Sequence, residues 1–266
     1  MSSVRFRHDS ARRFGLLTLI LACASIILGQ EHIPQTSEEY FERGLARYKS
    51  GNLQEAQNDF SEAITLNNRL ALAFYYRGII KALDGNTKQA IADYDRAIGI
   101  DPRQATAYHN RGVAHFSVWN LKAALTDFTK AIDLDPHYAA AYYNRGVARH
   151  ATRQIRSAIA DFNRALQMNP AYAEAFNNRG AARQDLNDVI GAIADFSKAV
   201  QLDPGYAEAY ANRGLAYLVQ GKDQRAQQDF DRALNINEEL KDVLEERIRN
   251  LEAQRAGKRR DRREKH

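Results

Sequence analysis

Apolar residues recur along this chain at helical spacing. Between residues 155 and 168 they fall at Ile155, Ala158, Ile159, Phe162, Ala165 and Leu166. That i, i+3/i+4, i+7 spacing predicts an amphipathic helix over IRSAIADFNRALQM. Asn169-Pro170 ends it, because the residue before a proline is pushed out of the helical region. A second helix is predicted just upstream, over AAAYYNRGVARHA. The pair then repeats with a 34-residue period, in six copies from Ser37 to Leu240. Within each copy the eighth place is Gly: Gly44, Gly78, Gly112, Gly146, Gly180 and Gly214. The twentieth is Ala: Ala56, Ala90, Ala124, Ala158, Ala192 and Ala226. The twenty-fourth is aromatic: Phe60, Tyr94, Phe128, Phe162, Phe196 and Phe230. The twenty-seventh is again Ala, from Ala63 to Ala233. Pro102, Pro136 and Pro204 repeat the helix stop, while the outer repeats carry Asn68 and Glu238 there. A fixed period of this length is the signature of a stacked array, and the fold class is all-α.

The recurring glycine sits inside the first helix, where it costs about 0.5–1 kcal/mol relative to alanine. Close approach of the two helices would repay that cost, with the glycine expected to face the small alanine of the second helix. The later alanine and the aromatic would fill the seam to the next repeat. Beyond the sixth repeat, Leu244, Ile248 and Leu251 at i, i+4, i+7 predict a capping helix. The organisation read from the chain is a leader at 1–30 and a short linker at 31–36. Six repeats follow, at 37–70, 71–104, 105–138, 139–172, 173–206 and 207–240. A capping helix spans 241–254, and a basic disordered tail spans 255–266.

This pattern resembles the tetratricopeptide repeat family, over 37–240. The resemblance implies a right-handed superhelical solenoid of six helix-turn-helix units with a C-terminal capping helix. It also implies a concave face, lined by the first helices, that binds peptides or extended protein segments. The family is a scaffold class, so the fold alone does not name a partner.

Two rows of polar residues run through the array. The seventh place is Arg in every repeat: Arg43, Arg77, Arg111, Arg145, Arg179 and Arg213. The twenty-third is Asp: Asp59, Asp93, Asp127, Asp161, Asp195 and Asp229. The family usually carries an apolar residue at the seventh place, so the arginine is a departure. Matched counts and phases predict a structural arginine–carboxylate pair that ties helices or neighbouring repeats. The second row is Asn110, Asn144, Asn178 and Asn212, with Glu42 and Tyr76 at the same place in the first two repeats. A primary amide both donates and accepts, so it can pair with a peptide backbone whatever its side chains. The row is similar to the asparagine ladder in the superhelical arm of O-linked N-acetylglucosamine transferase; that likeness covers only the ladder. The fifth places Tyr75, His109, Tyr143 and Asn177 are expected to line the same face. The lysines and arginines of a carboxylate clamp are not seen among the groove places, which favours an internal segment as ligand. Trp119, the sole tryptophan, falls in a turn, as a contact point or folded over that turn.

Composition and charge add where the protein is expected to act. Arg5, Arg7, Arg12 and Arg13 precede an uncharged run from Phe14 to Gly29. That order reads as a secretory leader. As a helix the run would span about 24 Å, short of a hydrocarbon core of about 30 Å. Cleavage after Ala24 or after Gly29 is therefore expected, with a retained anchor or a lipid-modified Cys23 as alternatives. Each places the repeats outside the cytoplasm, periplasmic or extracellular. Cys23 is the only cysteine, so no disulfide or thiolate metal site forms in the repeats. The net charge of +5 comes from the ends, since the tail holds seven bases against two acids and the leader four against one. The tail or the leader could reach a membrane surface, and nucleic acid is the least expected target once the chain is exported. No phosphate loop, GxSxG elbow, HExxH or Cys/His metal spacing is present. The expectation is a non-enzymatic adaptor without cofactor or metal, holding an extended segment of a protein partner. Homo-oligomerisation through the repeats is the alternative.

Overall fold

The computed structural model describes residues 34–264, and side chains up to Gly257. The leader and Cys23 lie outside the described residues. First helices are α1 Ser37–Lys49, α3 Ala71–Leu83, α5 Ala105–Ser117, α7 Ala139–Ala151, α9 Ala173–Asp185 and α11 Ala207–Val219. Second helices are α2 Leu53–Leu66, α4 Thr87–Ile100, α6 Leu121–Leu134, α8 Ile155–Met168, α10 Val189–Leu202 and α12 Asp223–Ile236. A 3₁₀ turn at Glu238–Leu240 leads into α13, Lys241–Glu264. The fold is an all-α solenoid of helix pairs with a C-terminal capping helix. The chain divides between Ile80 and Lys81 into two compact units, described separately.

Local chemistry sets the helix ends. Thr36 and Glu39 form a reciprocal capping box at the start of α1. Each second helix stops at an Asn or Asp in extended backbone: Asn67, Asp101, Asp135, Asn169, Asp203 and Asn237. Their side-chain oxygens accept the amide two residues on, at 2.8–3.1 Å. This Asx turn stops the outer repeats, which lack the proline.

The glycines answer to the aromatic ring rather than to the alanine. A Cβ on Gly112, Gly146 or Gly180 would lie 2.7 Å from Cε1 of Phe128, Phe162 or Phe196 in its own repeat. In the first compact unit, Gly44 stands in the same way against Phe60 at 2.9 Å. The expectation that the small alanine faces the glycine is thus corrected: the ring is the larger body and takes the closest place. The seam expectation holds for the ring and the later alanine, and the earlier alanine joins them there. Ala124 and Phe128 pack on Ala148 of the following repeat, Ala158 and Phe162 on Ala182, and Ala192 and Phe196 on Ala216. Ala131 meets Ala141, and Ala199 meets Ala209.

The arginine–aspartate pair is bidentate. Arg145 donates from Nε and Nη2 to the two oxygens of Asp161, at 3.0 and 2.8 Å. The same fork joins Arg43 to Asp59, Arg111 to Asp127, Arg179 to Asp195 and Arg213 to Asp229, at 2.6–3.0 Å. The third arm, Nη1, reaches the second helix of the preceding repeat. Arg77 donates to Ser61, Arg111 to Asp95, Arg145 to Thr129, Arg179 to Asn163 and Arg213 to Ser197. Each guanidinium also lies 5.2–5.5 Å from an aromatic ring three places upstream. The aspartates are buried. Stripping one partner from a buried pair of this kind costs about 3–5 kcal/mol. Asp127's hydrogen bond holds the Arg111 guanidinium above its ordinary pKa, against desolvation.

The C-terminal helix corrects the expected organisation: α13 does not stop at 254 but runs to Glu264. Residues 254–264 are nearly all good helix formers. Arg255 on this helix bonds Asp223 at 2.7 Å, which holds its middle against the sixth repeat. Ile248 occupies the glycine's place in phase, with no further second helix to crowd it. Leu244, Ile248 and Leu251 cover the core of that repeat.

The fifteenth place of every repeat carries positive φ. Gly51, Gly85 and Gly221 adopt it readily, at 75–85°. Trp119, Arg153 and Asn187 occupy the same conformation at 57–62°. A left-handed residue other than Gly or Asn costs about 1–2 kcal/mol. Trp119 is 74 % exposed, with its ring 6.2 Å from that of Phe116. Arg153→Gly is therefore expected to raise stability by roughly 0.5–1 kcal/mol, measured by urea unfolding against wild type. Asn187→Gly should change it less.

Candidate peptide-binding site

The asparagine row lies within the second compact unit, on α5, α7, α9 and α11. Each side chain is half-buried, and those of Asn144, Asn178 and Asn212 are hydrogen-bonded to the repeat before. Asn144 Nδ2 is 2.8 Å from His109 Nε2. Asn178 Nδ2 donates to the Tyr143 hydroxyl at 2.8 Å, and Asn212 Nδ2 donates to Asn177 Oδ1 at 3.0 Å. The fifth place of one repeat thus holds the sixth place of the next. His109 closes the chain on the other side, with Nδ1 3.0 Å from Asn110 Oδ1. The two partners assign its tautomer: Nδ1–H donates to Asn110, and the Nε2 lone pair accepts from Asn144.

A second layer braces the fifth places. Tyr138 lies against His109 with ring centroids 4.8 Å apart, and Tyr172 against Tyr143 at 4.7 Å. Asn177 Nδ2 donates to the Tyr206 hydroxyl at 3.2 Å. Burial pushes the Tyr206 phenol up to about 12, with further pushes from Tyr143, Glu208 and Glu174. Burial and then Glu174 push Tyr143 up as well, while the hydrogen bond from Asn178 acts the other way. These phenols stay neutral donors and acceptors at neutral pH.

Of the eight predicted positions, His109, Tyr143, Asn177 and the four asparagines fall into three hydrogen-bonded groups: Asn110–His109–Asn144, Tyr143–Asn178 and Asn177–Asn212. His109 and Asn177 are buried, at 9 and 6 % exposure. The expectation that these two line the groove is therefore corrected, because their polar atoms are spent positioning the row. Tyr75 belongs to the first compact unit and sits edge-on to Tyr76 at 5.3 Å. Asn144 and Asn178 each make one side-chain bond, leaving a carbonyl oxygen and one N–H apiece without a partner among the described residues. Arg247 of α13 ends the row, donating to Asn212 Oδ1 at 3.3 Å. A cavity of about 370 Å³ lies there, lined by Asn177, Tyr206, Asn212, Leu240, Val243 and Arg247 among others. The sequence reading passes over Arg247, although it stands 34 residues after Arg213 and so continues the arginine row. Among the described residues, no group of His, Cys, Asp or Glu could hold a metal ion, and no helix is long and apolar enough to cross a membrane.

With this geometry in place, comparison with known proteins settles the family. One model of the TPR repeat matches residues 82–118, 120–152 and 184–221. Two tetratricopeptide repeat models match 37–70 and 207–240, and 139–172. The chain belongs to the tetratricopeptide repeat family. No curated protein sequence matches it. Among solved structures it is similar to MamA, at 28 % identity and a TM-score of 0.57, covering 61 % of this chain and 95 % of that one. It is similar to YrrB, described as a TPR protein with an unusual peptide-binding site, at 25 % identity and a TM-score of 0.57, covering 67 % and 92 %. PilW, described as a widely conserved type IV pilus biogenesis factor, shares the fold at 21 % identity and a TM-score of 0.69, covering 80 % and 100 %.

His109 gives the row a pH dependence. Burial pushes its imidazole below the ordinary 6.5, with the hydrogen bond to Asn110 acting the other way. A depressed folded pKa means that the unfolded chain takes up the proton first. The stabilisation is present in full above about 6.5 and is lost as pH falls through the folded value. Thermal melts between pH 7.5 and 5 should show a fall in stability that is smaller in His109→Gln. The imidazole carbons of His109 should titrate below the ordinary 6.5, followed by NMR.

Proposed function

We propose that this protein is a non-catalytic adaptor that holds an extended segment of a partner protein along the asparagine row. The partner atoms are backbone N–H and C=O groups of that segment. Asn144 and Asn178 are the main contacts, and Asn110 and Asn212 extend the row at either end. His109, Tyr143 and Asn177 act one step back, fixing the asparagine rotamers before the ligand arrives. Preorganisation of that kind lowers the ordering cost of binding. The observation that carries this reading is the free carbonyl and N–H on each of Asn144 and Asn178, whose remaining N–H is tied down. Family membership and the peptide-binding site named for YrrB lend support.

The place of action proposed is outside the cytoplasm, in the assembly or localisation of an envelope complex. Support for it comes from the leader alone, Arg5 to Arg13 followed by the uncharged run to Gly29.

The test compares wild type with the Asn144→Ala/Asn178→Ala double variant in a crosslinked pull-down from native cells, with circular dichroism as the folding control. Four lost hydrogen bonds, a carbonyl and an N–H on each asparagine, at about 0.5–1 kcal/mol each predict roughly a 30–900-fold loss of affinity for the captured partner. Equal capture by a folded double variant would move the binding surface elsewhere. A concentration-dependent mass without any partner would point to self-association.

A further inference from the structure

The eleventh place of the repeat has a regular occupant. It is Arg47, Lys81, Arg149 and Arg183 in repeats one, two, four and five. Each donates to the buried aspartate of its own repeat, at 2.7–2.8 Å. Arg183 displays the whole seat: its guanidinium bonds the Asp195 carboxylate at 2.8 Å and the Gly191 carbonyl at 3.2 Å, and lies 3.8 Å from Asp188. These partners are the twenty-third, nineteenth and sixteenth places. In the sixth repeat the eleventh place is Tyr217.

The third repeat breaks the pattern with a short residue. His115 stands 4.0 Å from Asp127, and its buried Nδ1 has no hydrogen-bond partner among the described residues. Where a guanidinium lies in repeats four and five, a cavity of about 310 Å³ opens instead. Its walls include Asn120, Ala123 and Asp127, which are again the sixteenth, nineteenth and twenty-third places. They offer a side-chain amide, a backbone carbonyl and a buried carboxylate, as the walls around Arg183 offer a carboxylate, a carbonyl and a buried carboxylate. Asp127 is 3 % exposed, so a cation that reaches it meets a poorly screened charge. Two cations already border the cavity: Arg111, spent on Asp127 and Asp95, and exposed Lys122. They make a flat fork with aligned donors a better guest than a bare ammonium.

We propose that this cavity is a binding site for an arginine side chain of a partner protein, which supplies in trans the guanidinium that other repeats supply in cis. The site shares no residue with the asparagine row, so it stands or falls independently of the adaptor reading. It offers a second point of attachment to the same or another chain.

The test uses the full-length protein and Nα-acetyl-arginine-N-methylamide, with the uncharged citrulline analogue as control. In wild type, the arginine probe should produce saturable chemical-shift changes at Ala123, Thr126 and the His115 imidazole, and the citrulline analogue should not. His115→Arg should fill the seat in cis, raise Tm and weaken probe binding at least tenfold. His115→Lys gives the same readout should the arginine variant fold poorly. Absence of saturable shifts in wild type overturns the proposal. So does equal response to citrulline, or undiminished binding by a folded His115→Arg or His115→Lys protein.

Discussion

A buried carboxylate gripped by a guanidinium organises five of the six repeats, the first and the third to the sixth. The aspartate comes from the second helix and the arginine from the first, sixteen residues earlier, so one bidentate contact fixes the pairing of the two. A carboxylate buried this deeply is costly unless its lone pairs are filled. Two Nε/Nη2 bonds fill much of that demand, and in four repeats a second cation at the eleventh place adds to it. The remaining Nη1 arm crosses to the preceding repeat, so one side chain serves both the fold of its own helix pair and the stacking of neighbours. The aromatic ring three places before it covers one side of the guanidinium. The arginine at this place, unusual for the family, therefore has a structural account.

Around that polar link the apolar seam is built by size matching. Phe162 fits only because Gly146 offers no Cβ beneath its edge and Ala182 of the next repeat is small. Directional polar contacts set the register, and the small-against-large contacts set the spacing. Positions free of both demands are where the repeats differ, and the interesting chemistry falls there. The fifth place changes from Tyr75 to His109, Tyr143, Asn177 and Ala211 along the array, and the eleventh shortens to His115 in the third repeat alone.

Much of the fold was legible in the chain because a repeated demand leaves a repeated residue. The period, the helix pairs, the proline stops and the pairing of Arg with Asp could all be read from phase. Geometry within the phase could not. The glycine faces a phenylalanine rather than an alanine, and periodicity alone does not say which of two invariant neighbours touches a third. The left-handed fifteenth place was masked by Trp119, Arg153 and Asn187, which tolerate a conformation that glycine advertises. At the candidate site the asparagines were visible as a row. Their bonds to His109, Tyr143 and Asn177 were not, since these join residues 35 apart, one more than the period. Arg247 escaped notice because it sits beyond the last repeat, in a helix read only for its apolar stripe. The basic end of that helix carries no apolar stripe, so its charge pattern alone reads as a free tail.

The most direct measurement is a double-mutant cycle between Arg145→Met and Asp161→Asn, read by equilibrium unfolding. If the bridge organises these repeats, the two changes are strongly non-additive, with a coupling of roughly 2–3 kcal/mol, because either one alone strands a buried partner. Losses that add to within about 0.5 kcal/mol would mean that the two side chains contribute independently. The arginine and aspartate rows would then be neighbours in space without being the link that holds the array.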